Sequence, residues 1–108
     1  MIMLAHATVA AAATAACPFP ASPSTAIATM RSLPLGTAQL VGDMADHGEP
    51  FQASDVLPAG KHPPFSRFVS AQGHGCDLAV NYERGGIAHS WRTTHLRFDA
   101  GKWIVVSR

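Results

Sequence analysis

Histidine is the side chain in this sequence best suited to proton transfer or metal binding near neutral pH. Five follow the first 16 residues: His47, His62, His74, His89 and His95. Together with Cys76, the histidines at 74, 89 and 95 offer nitrogen and sulfur donors that suit zinc. Their spacing works against a shared ion. On one straight strand His89 and His95 point the same way but stand about 20 Å apart at ~3.3 Å per residue. A bulge between them turns them to opposite faces. No metal and no cofactor is expected. Taken singly, His89 lies between Ile87 and Trp91, just past the turn residues Gly85 and Gly86. A small enzyme site or ligand pocket using His89 with Tyr82 or Glu83 is one reading of that corner. A half-buried, hydrogen-bonded imidazole is the other.

Other constellations fail on type or spacing. No serine sits in a G-x-S-x-G elbow, and neither cysteine has a recognisable catalytic setting. The acids Asp43, Asp46, Glu49 and Asp55 lack the alternation of a calcium loop. Gly73, Gly75, Gly85 and Gly86 fall between strands rather than before a helix, so they make no phosphate cradle. No catalytic residue is assigned, and the balance falls against an enzyme. One basic set remains. With a bulge near Thr93 and Thr94, Arg92, His95 and Arg97 share a face on which an anionic group can dock. An ordinary charged surface explains the same residues.

The elements that position these side chains are mostly strands. In "CDLAVNYE", residues 76 to 83, Cys76, Leu78, Val80 and Tyr82 alternate with Asp77, Ala79, Asn81 and Glu83. That period of two predicts a half-buried strand with the first set inward. "FSRFVSA" before it, a third strand over 87 to 98 and the closing "KWIVVS" complete a meander. In the third strand Ile87 and Trp91 have one parity and Leu96 and Phe98 the other, which is why a bulge is expected there. The last strand is apolar on both faces, suiting a covered position or a face that a partner buries. A helix is predicted from Thr37, as N-cap, through Leu40, Val41 and Met44 to Gly48. Asp43 and Asp46 fall on its wet face, and His47 in its last turn suits the helix dipole. "TAIATMRSL" predicts a short helix stopped by Pro34, and "CPFPASPST" an extended leader. The expected fold is α+β, one main helix packed on an antiparallel four-stranded meander.

A chain of 108 residues holds one domain, and 47% apolar against 14% charged residues selects a folded globule over a disordered chain. Residues 1–16 carry no acid, Lys or Arg and end in small residues, with Ala13-Thr14-Ala15 at the cleavage pattern of a secretory signal. The expected organisation is a signal at 1–16, a Pro-rich leader at 17–36 and the domain at 37–108. Export to the periplasm or the outside follows. No segment is long and apolar enough to span a bilayer. Cys17 and Cys76 leave three outcomes open: a disulfide, a lipid anchor with Cys17 as acylated first residue, or two separate thiols. Between 31 and 83 there are three basic and six acidic residues, and from 84 onward five basic and one acidic. That mild asymmetry leaves the chain nearly neutral, so nucleic acid is not an expected partner.

The stretch "GEPFQASDV…RFVSA…CDLAVNYERGGIAHSW", residues 48 to 91, resembles small exported bacterial proteins of unknown function. In these a PF-x-A-S/T-D segment precedes an RF strand and a YE-x-GG hairpin. The order helix, loop, meander is also similar to the curved sheets of cystatin-like and nuclear-transport-factor-like folds, a resemblance that implies architecture and not activity. The expected function is an exported, non-enzymatic module that binds a protein or an envelope component through its sheet.

Overall fold

Alternation along the chain decides most of the sheet. In the computed structural model, which describes residues 16–53, 63–86 and 88–108, five strands pair antiparallel in chain order. They are β1 (Thr25–Ile27), β2 (Ser66–His74), β3 (Asp77–Arg84), β4 (Ser90–Asp99) and β5 (Lys102–Ser107). Residues 1–15 of the expected signal, His62, Asp55 and Ile87 lie outside the described residues. Leu78, Val80 and Tyr82 of β3 are buried as the alternation predicts. Phe68 of β2 and Leu96 of β4 join them. Each such side chain contributes roughly 1.5–3 kcal/mol when taken out of water. Tyr82 keeps its hydroxyl satisfied in this core, 3.3 Å from Oγ1 of the fully buried Thr94.

The expected helix packed on a four-stranded meander is overturned. A five-stranded sheet dominates, and the helical parts are a 3₁₀ turn (Met30–Ser32) and α1, only Thr37–Val41. Gly42 ends α1: its φ of 127° and ψ of −179° lie outside any helical region, and such a φ is open chiefly to glycine. Thr37 is not the N-cap. Gly36 holds that place, while the buried Thr37 hydroxyl donates to the Pro34 carbonyl at 2.7 Å. Past Gly42 the chain is irregular, so Asp43, Asp46 and His47 belong to loops rather than to a helix. Leu33, Val41 and Met44 from this stretch cover the inner face of the sheet. The short helix expected in "TAIATMRSL" is instead β1 plus the 3₁₀ turn, and it adds the fifth strand to the sheet.

Cys17 and Cys76 form a disulfide with Cα atoms 4.5 Å apart. The sulfur that a lipid anchor would occupy is thereby used, which removes the acylated Cys17 alternative. The staple draws the Pro-rich segment onto the β2–β3 turn, where Phe19 N–H donates to Gly75 O and Gly75 N–H to Pro20 O. The Phe19 ring then seats over Gly73 and packs 6.3 Å from the Trp103 ring.

The irregularity expected in the third strand is absent. β4 pairs with β3 without a break from Ser90 to Arg97. The shifts fall instead in β2, between Phe68 and Ser70, and opposite His95 and Leu96, where β5 slips by one residue. The β2 shift has the larger consequence. Phe68 pairs with Tyr82 on the inner face, while Arg67 pairs with Glu83 on the outer face. Were Val69 paired in a regular ladder rather than bulged out, Phe68 would stand opposite Glu83 and point outward. Ala45 fills the free edge of β2 at this place, with Ala45 N–H donating to Ser66 O and Phe68 N–H to Ala45 O, both at 2.8 Å.

Candidate functional site

Because one face of the sheet is covered, the residues left for function are those of the other. The β3 side chains of opposite parity, Asp77, Ala79, Asn81 and Glu83, form its spine. Glu83 is the unusual one. Its side chain is only 7% exposed, although parity aims it away from the core. Three side-chain nitrogens surround its carboxylate. Arg67 Nε donates to Oε1 at 2.7 Å, and Nη2 approaches the same oxygen. His89 Nε2 lies 3.0 Å from Oε2. The Arg67 guanidinium is covered in turn by the Phe51 ring, 4.3 Å from its centroid, and Nη1 donates to Glu49 O.

His89 carries the arrangement to the surface. Its ring stands 6.2 Å from Phe51 and stacks on Trp91, with centroids 5.5 Å apart and planes 30° from parallel. Trp91 itself is 69% exposed. A groove of about 290 Å³ beside it is bounded by His47, Arg67, Val69 and Glu83. Chemically, the carboxylate orients the imidazole: a neutral His89 donating from Nε2 presents Nδ1 as an acceptor. The same contact holds the indole that stacks on it.

The loop that closes this end has its own lock. Asp46 Oδ1 accepts from the backbone N–H of Met30 at 2.6 Å and of His47 at 2.7 Å. Desolvation raises this carboxyl, but the two N–H donors and the Arg31 cation outweigh it together and leave it below its ordinary value. Gln52 N–H then donates to Pro64 O, and Gly86 N–H to Ala53 O. Gly85 passes so close to the backbone of residues 52 and 53 that a Cβ has no room.

Of the sequence-predicted pocket, Glu83 and His89 meet and Tyr82 does not, since Tyr82 points into the core toward Thr94. The basic set divides as well. With β4 regular, His95 and Arg97 share the outer face, whereas Arg92 has the opposite parity and donates to Ser90 Oγ at 3.2 Å. Arg97 is paired with Asp77 at 3.1 Å. His74 is exposed at the end of β2, and no group of three or more metal-binding side chains converges among the described residues. Sequence reasoning missed Phe51, Arg67 and Trp91 as parts of a site. The signal that points to them is the opposite-charge pairing of Arg67 with Glu83, which needs the register of β2 on β3 to be known. Compared with known proteins, the chain matches no family model, no curated protein and no solved structure.

Proposed function

We propose that this chain is an exported binding module, without catalytic activity of its own, that holds a protein or an envelope component on the outer face of its sheet. One observation carries the reading. Trp91 is largely exposed, yet its ring is held by the stack on His89, which the buried Glu83 in turn anchors. An indole kept both fixed and wet contributes little to folding, while a rigid aromatic at the surface is what binding sites use as an anchor. The Cys17–Cys76 disulfide favours an oxidising compartment, and no helix among the described residues is long and apolar enough to cross a membrane.

Site-specific photo-crosslinking in the producing cells tests the face. A benzophenone side chain at position 91 is expected to give adducts that the same group at Leu35, 97% exposed on the covered side, does not. Equal labelling at both positions, or none at either, rejects the outer face. The mass of the mature chain tests export: a chain starting near Ala16 with its disulfide intact is expected outside the cytoplasm, and a chain kept inside with Met1 intact contradicts it.

A further inference from the structure

We infer that the ligand of the outer face is an uncharged glycan, with Trp91 as its stacking platform; this rests on the reading of that face as a binding surface. The charges on the face are matched internally. At one end Arg67 is committed to Glu83, and at the other Arg97 to Asp77. A polyanion or polycation therefore finds no unmatched charge row to complement. Between the two pairs the strands present the hydroxyl and amide groups of Ser70, Gln72, Asn81 and Thr93, with Ala79 and the exposed His95 beside them.

Those groups are already oriented. Asn81 Nδ2 donates to Ser70 Oγ at 3.1 Å and to Gln72 Oε1 at 3.0 Å, and Thr93 Oγ1 donates to Asn81 Oδ1 at 2.8 Å. Each bond fixes what its partner has left to offer. Ser70 keeps its O–H, Gln72 keeps its amide hydrogens, and Thr93 keeps an acceptor lone pair. Donors and acceptors thus alternate over a few ångströms, which suits sugar hydroxyls because each of those both donates and accepts. The pattern suits a protein partner less well, since the centre of a protein interface needs several apolar anchors, whereas Trp91 stands alone at its end of the face and the exposed Ile104 lies opposite Arg97 at the far end.

Trp91 supplies the remaining requirement. The C–H face of a pyranose packs on an aromatic ring, and a ring already held by His89 has little rotamer freedom left to lose on binding. Thr93 lies two residues along the same strand, about 6.6 Å away. A sugar stacked on Trp91 therefore places its neighbour over Thr93 and Asn81.

Affinity electrophoresis of the disulfide-bonded chain through gels holding galactomannan, xylan or a mixed-linkage β-glucan tests the inference. Retardation by at least one of these neutral polymers is expected. Trp91→Ala should weaken it about tenfold or more, and Trp91→Phe should retain part of it. Both variants should run as the parent does in polymer-free gels, because position 91 is exposed. Retardation by none of the neutral polymers, retardation only by an anionic one such as pectate, or a Trp91→Ala chain retarded as strongly as the parent would overturn it. Protein adducts at position 91 without any retardation would sink the glycan and leave the binding face standing. Neither adducts nor retardation would remove both.

Discussion

Two ends of one sheet face carry the same chemical pair, a carboxylate on β3 and an arginine on a neighbouring strand, with opposite outcomes. Glu83 is shut away beneath Arg67, His89 and Phe51, whereas Asp77 and Arg97 are 56% and 57% exposed. The chemistry is equal, so the surroundings make the difference. At the Glu83 end the β2 irregularity turns Arg67 outward and the 46–53 loop folds over it. At the Asp77 end the ladder is regular, and the fastening is covalent, through Cys76 on the adjoining turn. An ion pair gains weight here only where a second layer takes it out of water.

Breaking the inner anchor beside Arg67 is the most direct way to erase that contrast. Phe68→Lys removes a fully buried phenylalanine, which costs about 3–5 kcal/mol, and burying an unpaired ammonium adds several more. The expected result is loss of cooperative unfolding and collapse of amide dispersion in a proton–nitrogen NMR spectrum. Deleting Val69 should be far milder, because Phe68 then still pairs with Tyr82 and Arg67 with Glu83. A Phe68→Lys variant that still unfolds cooperatively at the parent's urea midpoint would show that the inward setting of Phe68 is dispensable.

Next in size is the covalent fastening of the regular end. Replacing Cys17 and Cys76 by serine, which removes a link between residues 59 apart in sequence, should lower stability by about 4 kcal/mol on the chain-entropy estimate. Glu83→Ala should follow at about 3 kcal/mol, since it strands Arg67 half-buried without its partner. Urea midpoints measure both. The two differ in one readout, tryptophan fluorescence in a Trp103→Phe background: the serine variant should leave the Trp91 emission unchanged, and Glu83→Ala should free His89 and shift it.

The regular parts were the legible ones. β3 could be read because Leu78, Val80 and Tyr82 alternate with polar residues beside one covered face, and β5 matches "KWIVVS" residue for residue. Four strands and the Cys17–Cys76 possibility were therefore within reach. β1 was not, because three residues with one buried apolar side chain carry no periodicity. The helix is shorter than its pattern because Leu40, Val41 and Met44 keep helical spacing across a Gly42 whose backbone leaves the helix. The site was hidden for a different reason. Parity places Glu83 on the wet side, and what buries it comes from Phe51 in a turn-rich stretch and from a one-residue shift at Val69. Neither leaves a local trace in the sequence.

Acid should distinguish the ends in a graded way. Asp46 locks the loop that covers the Glu83 end, and its carboxyl lies below its ordinary value when folded. A group lowered on folding stabilises above its unfolded pKa, and that contribution fades as pH drops through the folded value. Asp46→Asn should cost about 1 kcal/mol at neutral pH, the scale of hydrogen bonds to a partly exposed carboxylate. The difference between parent and variant should shrink toward zero in acid. A difference that stays constant across the carboxylate range would assign the lock to shape rather than charge.

The smallest effect is expected at the exposed Asp77–Arg97 pair. Asp77→Ala and Arg97→Ala should each change stability by no more than about 0.5 kcal/mol, because both side chains are more than half exposed and water replaces the lost partner. The double variant should equal the sum of the singles within error, and added salt should erase what difference remains. The same cycle on Arg67 and Glu83 should instead show coupling well above 1 kcal/mol that survives salt. If the Asp77 pair coupled as strongly as the Glu83 pair, burial would not be what separates the two ends, and the covering loop would lose its assigned role.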